Sequence, residues 1–248
     1  MTPSNKTEPQ PTQKTMCVIL ACPDGVRPGR DVLEACHEAN PHGAGVAWRQ
    51  DGEVRWMKGL DVPRLATLLP LLPGEIVVHF RWASVWEVTP ALCHPFPVTR
   101  AATTRLSGHA RAVLFHNGTW TAWRDTLRLM PRRRFEGPLS DSRVAASLVD
   151  LCGVESLERL PGRWVFLERD FTLFFGDWRK WGGMKASNLG FLHALERRKE
   201  AALRERAFSC GRHGHSSHNL SGPRGYQDTW DARTRPHNAN HEPTKPAQ

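Results

Sequence analysis

The chain has 248 residues, of which 40% are hydrophobic and ten are tryptophan, so it can bury a core; its formal net charge is +9. No segment approaches the ~20 consecutive apolar residues of a membrane helix, and the N-terminus lacks an apolar signal segment. The six cysteines are scattered without a Cys-x-x-Cys pair, which argues against a disulfide framework or a zinc module and predicts a reducing, cytoplasmic compartment without membrane association.

The N-terminal half begins with a polar segment and then changes abruptly. Residues 1–15 are Pro-rich without apolar periodicity, so we expect a disordered extension, or residues that precede the true start of the protein. From Met16 onward, apolar periodicity and turn residues predict a strand over 17–21, a helix over 30–39, strands over 45–49 and 53–58 joined by a turn at Asp51-Gly52, a helix over 62–72, and a buried strand over 75–80.

The C-terminal half continues this mixed pattern and ends in a polar tail. It predicts a strand over 112–115 ended by a turn, a helix over 142–151 capped by Ser140 or Asp141, a hairpin over 163–168 and 171–175, and a charged helix over 192–207. From about residue 209 the composition predicts disorder. We therefore expect one α+β domain over 16–195, followed by a basic helix and a disordered His/Pro-rich tail over 196–248.

Cys17 follows Met16 directly, and this position suggests a nucleophile. If the working protein starts at Met16, removal of the methionine would leave Cys17 with a thiol and a free α-amine on one residue. An amine with a pKa near 8 can act as the general base for its own thiol at neutral pH. Taken by itself, however, Cys17 is better interpreted as a small core residue of an edge strand.

Four further segments accompany Cys17 at predicted strand ends and loops. They are HFRWAS at 79–84, His94-Pro95, His116-Asn117-Gly118 and Ser140-Asp141-Ser142. In this order, behind Met-Cys, they resemble the class II glutamine amidotransferase domain, a member of the N-terminal-nucleophile hydrolases, over roughly residues 16–180. The segment over 40–48, with its Pro-His-Gly, is similar to members that stand alone without a synthetase domain.

The resemblance implies a fold and a set of roles. The fold would be a four-layer αββα sandwich of two stacked, largely antiparallel sheets, with Cys17 at a strand start. Cys17 would attack the side-chain amide of glutamine, while Asn117 and Gly118 would stabilise the oxyanion. Arg81 would bind the carboxylate of glutamine and Asp141 its ammonium group.

The same resemblance implies that Trp82 and Ser84 belong to the substrate-binding segment. It implies neither a cofactor nor a metal. Cys210, His213, His215 and His218 in the tail match no common zinc spacing, so we expect no metal there either.

Each residue also has a simpler structural interpretation. Asn117-Gly118 could be only a hairpin turn, Asp141 only a helix cap, and Arg81 the partner of any surface carboxylate. The sequence also departs from the family, because Trp86 adds bulk near the expected glutamine loop. Arg143 stands where the family has an acid, which would reverse a charge beside the ammonium site.

Three functional hypotheses remain open from the sequence. The first is an amidohydrolase that releases ammonia from glutamine or a related amide, with a partner protein that accepts the ammonia, since no synthetase fits in the rest of this chain. The second is a non-catalytic binding module on the same fold, with the N-terminal extension retained. The third is weak association with nucleic acid through the basic helix and tail, although the charge is more typical of a solvated basic face or tail.

Overall fold

The computed structural model describes residues 16–83, 87–130 and 135–211, and for 208–211 the backbone alone. One compact unit extends to Arg206, and a second begins at Ala207, of which only 207–211, all helical, are described. The predictions for residues 1–15 and for the tail beyond 211 lie outside the described residues. So do those for Ser84 and Trp86, and the domain boundaries stay predictions.

Eleven strands are present in the described part of the chain. They are β1 (Val18–Cys22), β2 (Ala44–Gln50), β3 (Glu53–Leu60), β4 (Ile76–Phe80), β5 (Phe96–Pro97), β6 (Ser107–Ala110), β7 (Ala112–Asn117), β8 (Arg163–Glu168), β9 (Thr172–Phe175), β10 (Arg179–Trp181) and β11 (Met184–Ala186). Seven form one sheet in the order β10-β11-β1-β4-β2-β3-β6, and four form a second in the order β5-β7-β8-β9. Neighbouring strands pair antiparallel throughout both described sheets.

Five α-helices flank these sheets within the described ranges. They are α1 (Arg30–Ala39), α2 (Val62–Leu68), α3 (Trp123–Leu129), α4 (Asp141–Cys152) and α5 (Leu192–Gly211). Short 3₁₀ turns cover Leu69–Leu71, Pro90–Leu92 and Val154–Arg159. None of the described helices is both long and apolar enough to cross a membrane.

Strands buried on both faces create the layered architecture. Along β1, Ile19 and Ala21 point into the space between the sheets, while Val18, Leu20 and Cys22 point to the opposite face. The inner layer is completed by β7 and β8 of the second sheet. The outer face of the first sheet packs against α1, α2 and the start of α5, and that of the second against α3 and α4. The predicted four-layer αββα sandwich is confirmed.

Most predicted elements are present with shifted ends. The helix predicted over 62–72 ends as an α-helix at Leu68, because Pro70 has no N–H to donate to the preceding turn. The strand predicted over 112–115 continues through Asn117, which pairs with Arg163, so the turn begins later than expected. The turn at Asp51-Gly52 is confirmed, with φ of 55° and 73° at the two residues.

Strand pairing brings distant segments to one end of the sandwich. Val18 lies opposite Phe80 in the β1–β4 pair, so Cys17 is placed beside Arg81 and Trp82. The far end of β7, at Asn117, reaches the same region through a side-chain contact to Ser187, which follows β11.

Candidate active site

The Cys17 sulfur, just before β1, contacts the backbone of Trp82. Sγ accepts a hydrogen bond from Trp82 N–H at 3.2 Å, and it lies 3.5 Å from Trp82 O, to which the thiol can donate. The Cys17 carbonyl accepts from Asn188 Nδ2 at 2.7 Å. The residue as a whole remains partly exposed, while its thiol is held in place by the Trp82 backbone.

The environment of Cys17 keeps its thiol protonated at neutral pH. Burial of the thiol raises its pKa to about 11; the Trp82 hydrogen bond and the charge of Arg81 act in the opposite direction. The charge of Asp141 contributes a small upward shift, so this carboxylate lies within electrostatic reach of the sulfur. A nucleophilic role would therefore need a general base.

Arg81 is a buried cation without an ion-pair partner in the described chain. Its residue exposure is 5%, Nη2 donates to Glu87 O at 3.2 Å, and buried Nη1 finds no partner among the described residues. Burial lowers the pKa of the guanidinium, while the Cys93, Cys17 and Asp141 groups favour its charged form. An unpaired buried guanidinium is unfavourable unless an anion occupies the space in front of it. Its position beside Cys17 is therefore suited to a carboxylate.

Asn117 is completely buried at the end of β7 and is held by Ser187. Its Nδ2 lies 2.8 Å from Ser187 Oγ, which also accepts from Ile19 N–H at 2.9 Å. An amide nitrogen carries two hydrogens, so one remains available when Ser187 accepts the other. The amide oxygen Oδ1 has no partner in the described chain. Asn117 thus presents a fixed donor, held by the same Ser187 hydroxyl that contacts Ile19 of β1.

Gly118 follows at a position where only glycine fits. A Cβ there would lie 2.8 Å from Gly162 Cα and 2.8 Å from His116 Nε2, and φ is 157°. Contacts shorter than 3.0 Å to backbone require the structure to shift. The backbone of Gly118 is therefore closely packed against the loop before β8.

Asp141 lies at the first turn of α4 and takes part in a short polar chain. Oδ2 accepts from Trp120 N–H at 2.9 Å, and Oδ1 accepts from Ser142 N–H at 2.7 Å and from Ser142 Oγ at 3.1 Å. Because the only hydroxyl hydrogen of Ser142 goes to Asp141, its oxygen accepts from His116 Nδ1 at 3.0 Å. The helix cap is Ser140, whose side chain accepts from Arg143 N–H. Asp141 retains acceptor capacity for one further donor.

Three buried histidines form a connected group that includes His116, the residue before Asn117. His79 Nε2 lies 3.3 Å from His116 O, the rings of His79 and His94 are 4.2 Å apart, and His116 stacks on Trp164 at 3.7 Å. Burial lowers the pKa of His79 to about 3 and that of His116 to about 4, the latter opposed by Asp141. Burial also lowers the pKa of His94 well below its usual range. All three are therefore neutral at physiological pH, which argues against roles as acids.

Arg143 does not act as the sequence suggested. It is 1% exposed and donates to four backbone carbonyls at 2.6–3.4 Å, those of Ala101, Ala102, Gly137 and Pro138. It forms no ion pair with Asp141 within the described residues. The expectation of a reversed charge beside the ammonium site is wrong, because the side chain is directed into two loops that it holds together.

The structure brings Cys17, Arg81, Trp82, Asn117 and Asp141 to one end of the sandwich, with Gly118 next to Asn117. It adds three residues that sequence reasoning missed, which are His42, Ser187 and Asn188. The Pro-His-Gly segment was a signal for the first of them. Ser187 and Asn188 follow β11, a three-residue strand whose sequence has no recognisable strand pattern.

Comparisons with known proteins give little beyond this geometry. No protein-family model and no curated protein matches the sequence. Among solved structures, the chain is similar to the glutamine phosphoribosylpyrophosphate (PRPP) amidotransferase from B. subtilis, complexed with ADP and GMP, at 18% identity and a TM-score of 0.46. The match covers 73% of this chain and 43% of that protein's chain, so it spans less than half of the latter.

Proposed function

We propose that this chain is a glutamine amidotransferase-type amidohydrolase of the stand-alone kind, with Cys17 as its nucleophile. The observation that carries the proposal is a thiol that lies next to a buried guanidinium whose Nη1 has no partner among the described residues: Trp82 N–H contacts the Cys17 sulfur, and Arg81 precedes Trp82. A glutamine whose carboxylate pairs with Arg81 would have its ammonium group directed towards Asp141.

Hydrolysis of the glutamine amide would proceed in two steps, through a thioester on Cys17. The Cys17 sulfur attacks the amide carbon, the C–N bond breaks, and the thiol proton leaves with the nitrogen as ammonia, so that a thioester forms. Water then attacks the thioester, giving glutamate and the free thiol. Asn117 Nδ2–H and Gly118 N–H supply the oxyanion donors in both steps. The loss of one such donor typically lowers the rate about 10²–10³-fold.

The general base is the α-amine of Cys17, which requires that residues 1–16 be removed. In the full sequence the Cys17 nitrogen is an amide and cannot accept a proton, and the thiol pKa of about 11 leaves almost no thiolate at neutral pH. A free amine with a pKa near 8 would provide the base within the same residue. The released ammonia would pass to a partner protein.

The test compares the full chain with the same chain cleaved by a specific protease so that Cys17 becomes N-terminal. We expect the cleaved protein to release glutamate and ammonia from glutamine and to be labelled on Cys17 by 6-diazo-5-oxonorleucine, as read by peptide mass spectrometry. Cys17→Ala should abolish both signals. Cys152→Ala is the matched control, because this cysteine is exposed and lies on α4 away from the sulfur contacts.

Two results would contradict the proposal. One is glutaminase activity that persists in Cys17→Ala. The other is a native protein whose intact mass corresponds to a chain that begins at Met1, and whose cleaved form neither turns over glutamine nor reacts with the analogue. That second outcome would favour the non-catalytic binding module.

A further inference from the structure

We infer that His42 is a positioning residue, whose ring holds Arg81–Ala83 so that Trp82 N–H is presented to the Cys17 sulfur. Its importance for turnover rests on the proposed function, but its effect on the sulfur does not. His42 lies in the Pro-His-Gly segment just before β2, and the roles assigned above to the substrate and oxyanion groups do not involve it.

Two sets of contacts join residues 42–43 to the segment after β4. The backbone set consists of His42 N–H to Arg81 O at 3.1 Å and Arg81 N–H to Gly43 O at 2.9 Å. Any residue except proline could make these bonds at position 42. The side-chain set requires a ring nitrogen and an aromatic face, so it explains why histidine occupies the position.

The ring of His42 makes two contacts on consecutive residues. Nδ1 accepts from Ala83 N–H at 2.8 Å, and the ring stacks on Trp82 with centroids 5.1 Å apart and planes inclined by 30°. Because Nδ1 accepts, the neutral ring carries its proton on Nε2. The N–H of Trp82 itself is the one that donates to Cys17 Sγ. The ring of His42 therefore holds the side chain of the donor residue and the peptide unit that follows it.

This arrangement should control the reactivity of Cys17. Among the contributions that favour the thiolate, the Trp82 backbone hydrogen bond is the largest, followed by the charge of Arg81. Both groups lie on the segment that His42 holds. If the segment moved, the donor and the cation would leave the sulfur together, and the thiolate fraction at a given pH would fall.

The experiment separates the two contacts of the ring in the full chain. His42→Asn keeps an acceptor close to the position of Nδ1 but removes the ring. His42→Phe keeps the aromatic face but removes the acceptor, and His42→Ala removes both. The rate of alkylation of Cys17 by iodoacetamide is followed from pH 7 to 10 by peptide mass spectrometry, with exposed Cys152 as an internal control in the same sample. Far-UV circular dichroism verifies folding.

The hydrogen bond to Ala83 N–H should contribute more than the stacking on Trp82, because its loss leaves a backbone donor unpaired. We therefore expect His42→Phe and His42→Ala, which lose the hydrogen bond, to slow alkylation of Cys17 about tenfold at fixed pH and to move its pH profile upward, while His42→Asn, which loses only the stacking, stays within about twofold of the original protein. The rate at Cys152 should not change. Equal rates at Cys17 in all variants, faster alkylation in the Phe variant, or equal slowing in the Asn and Phe variants would overturn the inference.

The alkylation test of His42 can fail or succeed independently of the glutaminase test, because alkylation involves no glutamine. A protein without glutaminase activity that still shows slower alkylation in His42→Phe would refute the amidohydrolase and support the positioning role. An active glutaminase in which His42→Phe has no effect on alkylation would refute the positioning role alone.

Discussion

Replacing His94 with leucine should make the protein less sensitive to acid. His94 is 6% exposed, and neither of its ring nitrogens has a hydrogen-bond partner among the described residues. Its ring packs on His79 at 4.2 Å and meets the edge of Phe96 at 5.2 Å. Leucine is similar in volume and sacrifices no hydrogen bond, so stability at neutral pH should be equal or higher.

The size of the stability loss in acid follows from the difference in protonation between the folded and unfolded chains. Burial lowers the pKa of His94, so only the unfolded chain takes up the proton as the pH falls below about 6.5. Stability is therefore fully present above pH 6.5 and decreases below it, by about 2 kcal/mol per neutral buried histidine at pH 5. For His79, with a pKa of about 3, the decrease extends from about pH 6.5 to 3, and for His116 to about 4.

Together the three histidines account for about 6 kcal/mol of lost stability at pH 5, which is comparable to the whole stability of a typical domain, ~5–15 kcal/mol. His94→Leu should remove about one third of this loss. The free energy of unfolding would be measured by urea denaturation with tryptophan fluorescence at pH 7.5 and pH 5.0.

The control is His193→Gln, since His193 is exposed on α5 and should not affect the difference between the two pH values. If His94→Leu loses as much stability between pH 7.5 and 5.0 as the original protein, a neutral His94 in the folded state is refuted.

Two further predictions concern Arg143 and Ser187. Arg143→Ala should lower the free energy of unfolding by about 3 kcal/mol or more in urea denaturation, because four carbonyls lose a charged donor, and Arg143→Lys should recover only part of it. A loss below about 1 kcal/mol, or a changed KM for glutamine without a loss of stability, would contradict the structural role. Ser187→Ala should lower kcat about tenfold with little change in KM, because Asn117 would act only on the tetrahedral intermediate. Steady-state kinetics on the cleaved protein tests this, and an equal change in both constants would count against it.

The main elements of the fold could be predicted from local pattern. Runs such as VILAC in β1 and IVVHF in β4 are apolar on both faces, as expected for strands covered by another sheet and by helices. Helix α4 was predicted from its periodicity and from a cap at Ser140 or Asp141, and the structure shows that Ser140 is the cap. The strands β10 and β11 were missed because three-residue strands have no measurable periodicity, and they exist only through pairing with each other and with β1.

The candidate site was only partly accessible from sequence. Motif order identified Cys17, Arg81 and Asn117, but it could not show which way a long side chain points. Arg143 illustrates this limit, because its spacing placed it next to Asp141 while its guanidinium binds carbonyls of two loops.

The sequence by itself indicated the main strands and helices, and its resemblance to a known family implied the αββα sandwich and the candidate site residues. Only the tertiary structure decided which of these residues are in contact, and with what. His42 contacts Ala83, 41 residues away in sequence, and Asn117 contacts Ser187, 70 residues away. Local pattern records which faces are apolar, because burial repeats every two or 3.6 residues. A contact between two single polar groups has no period, so it is defined only when the strands next to those groups are paired in register.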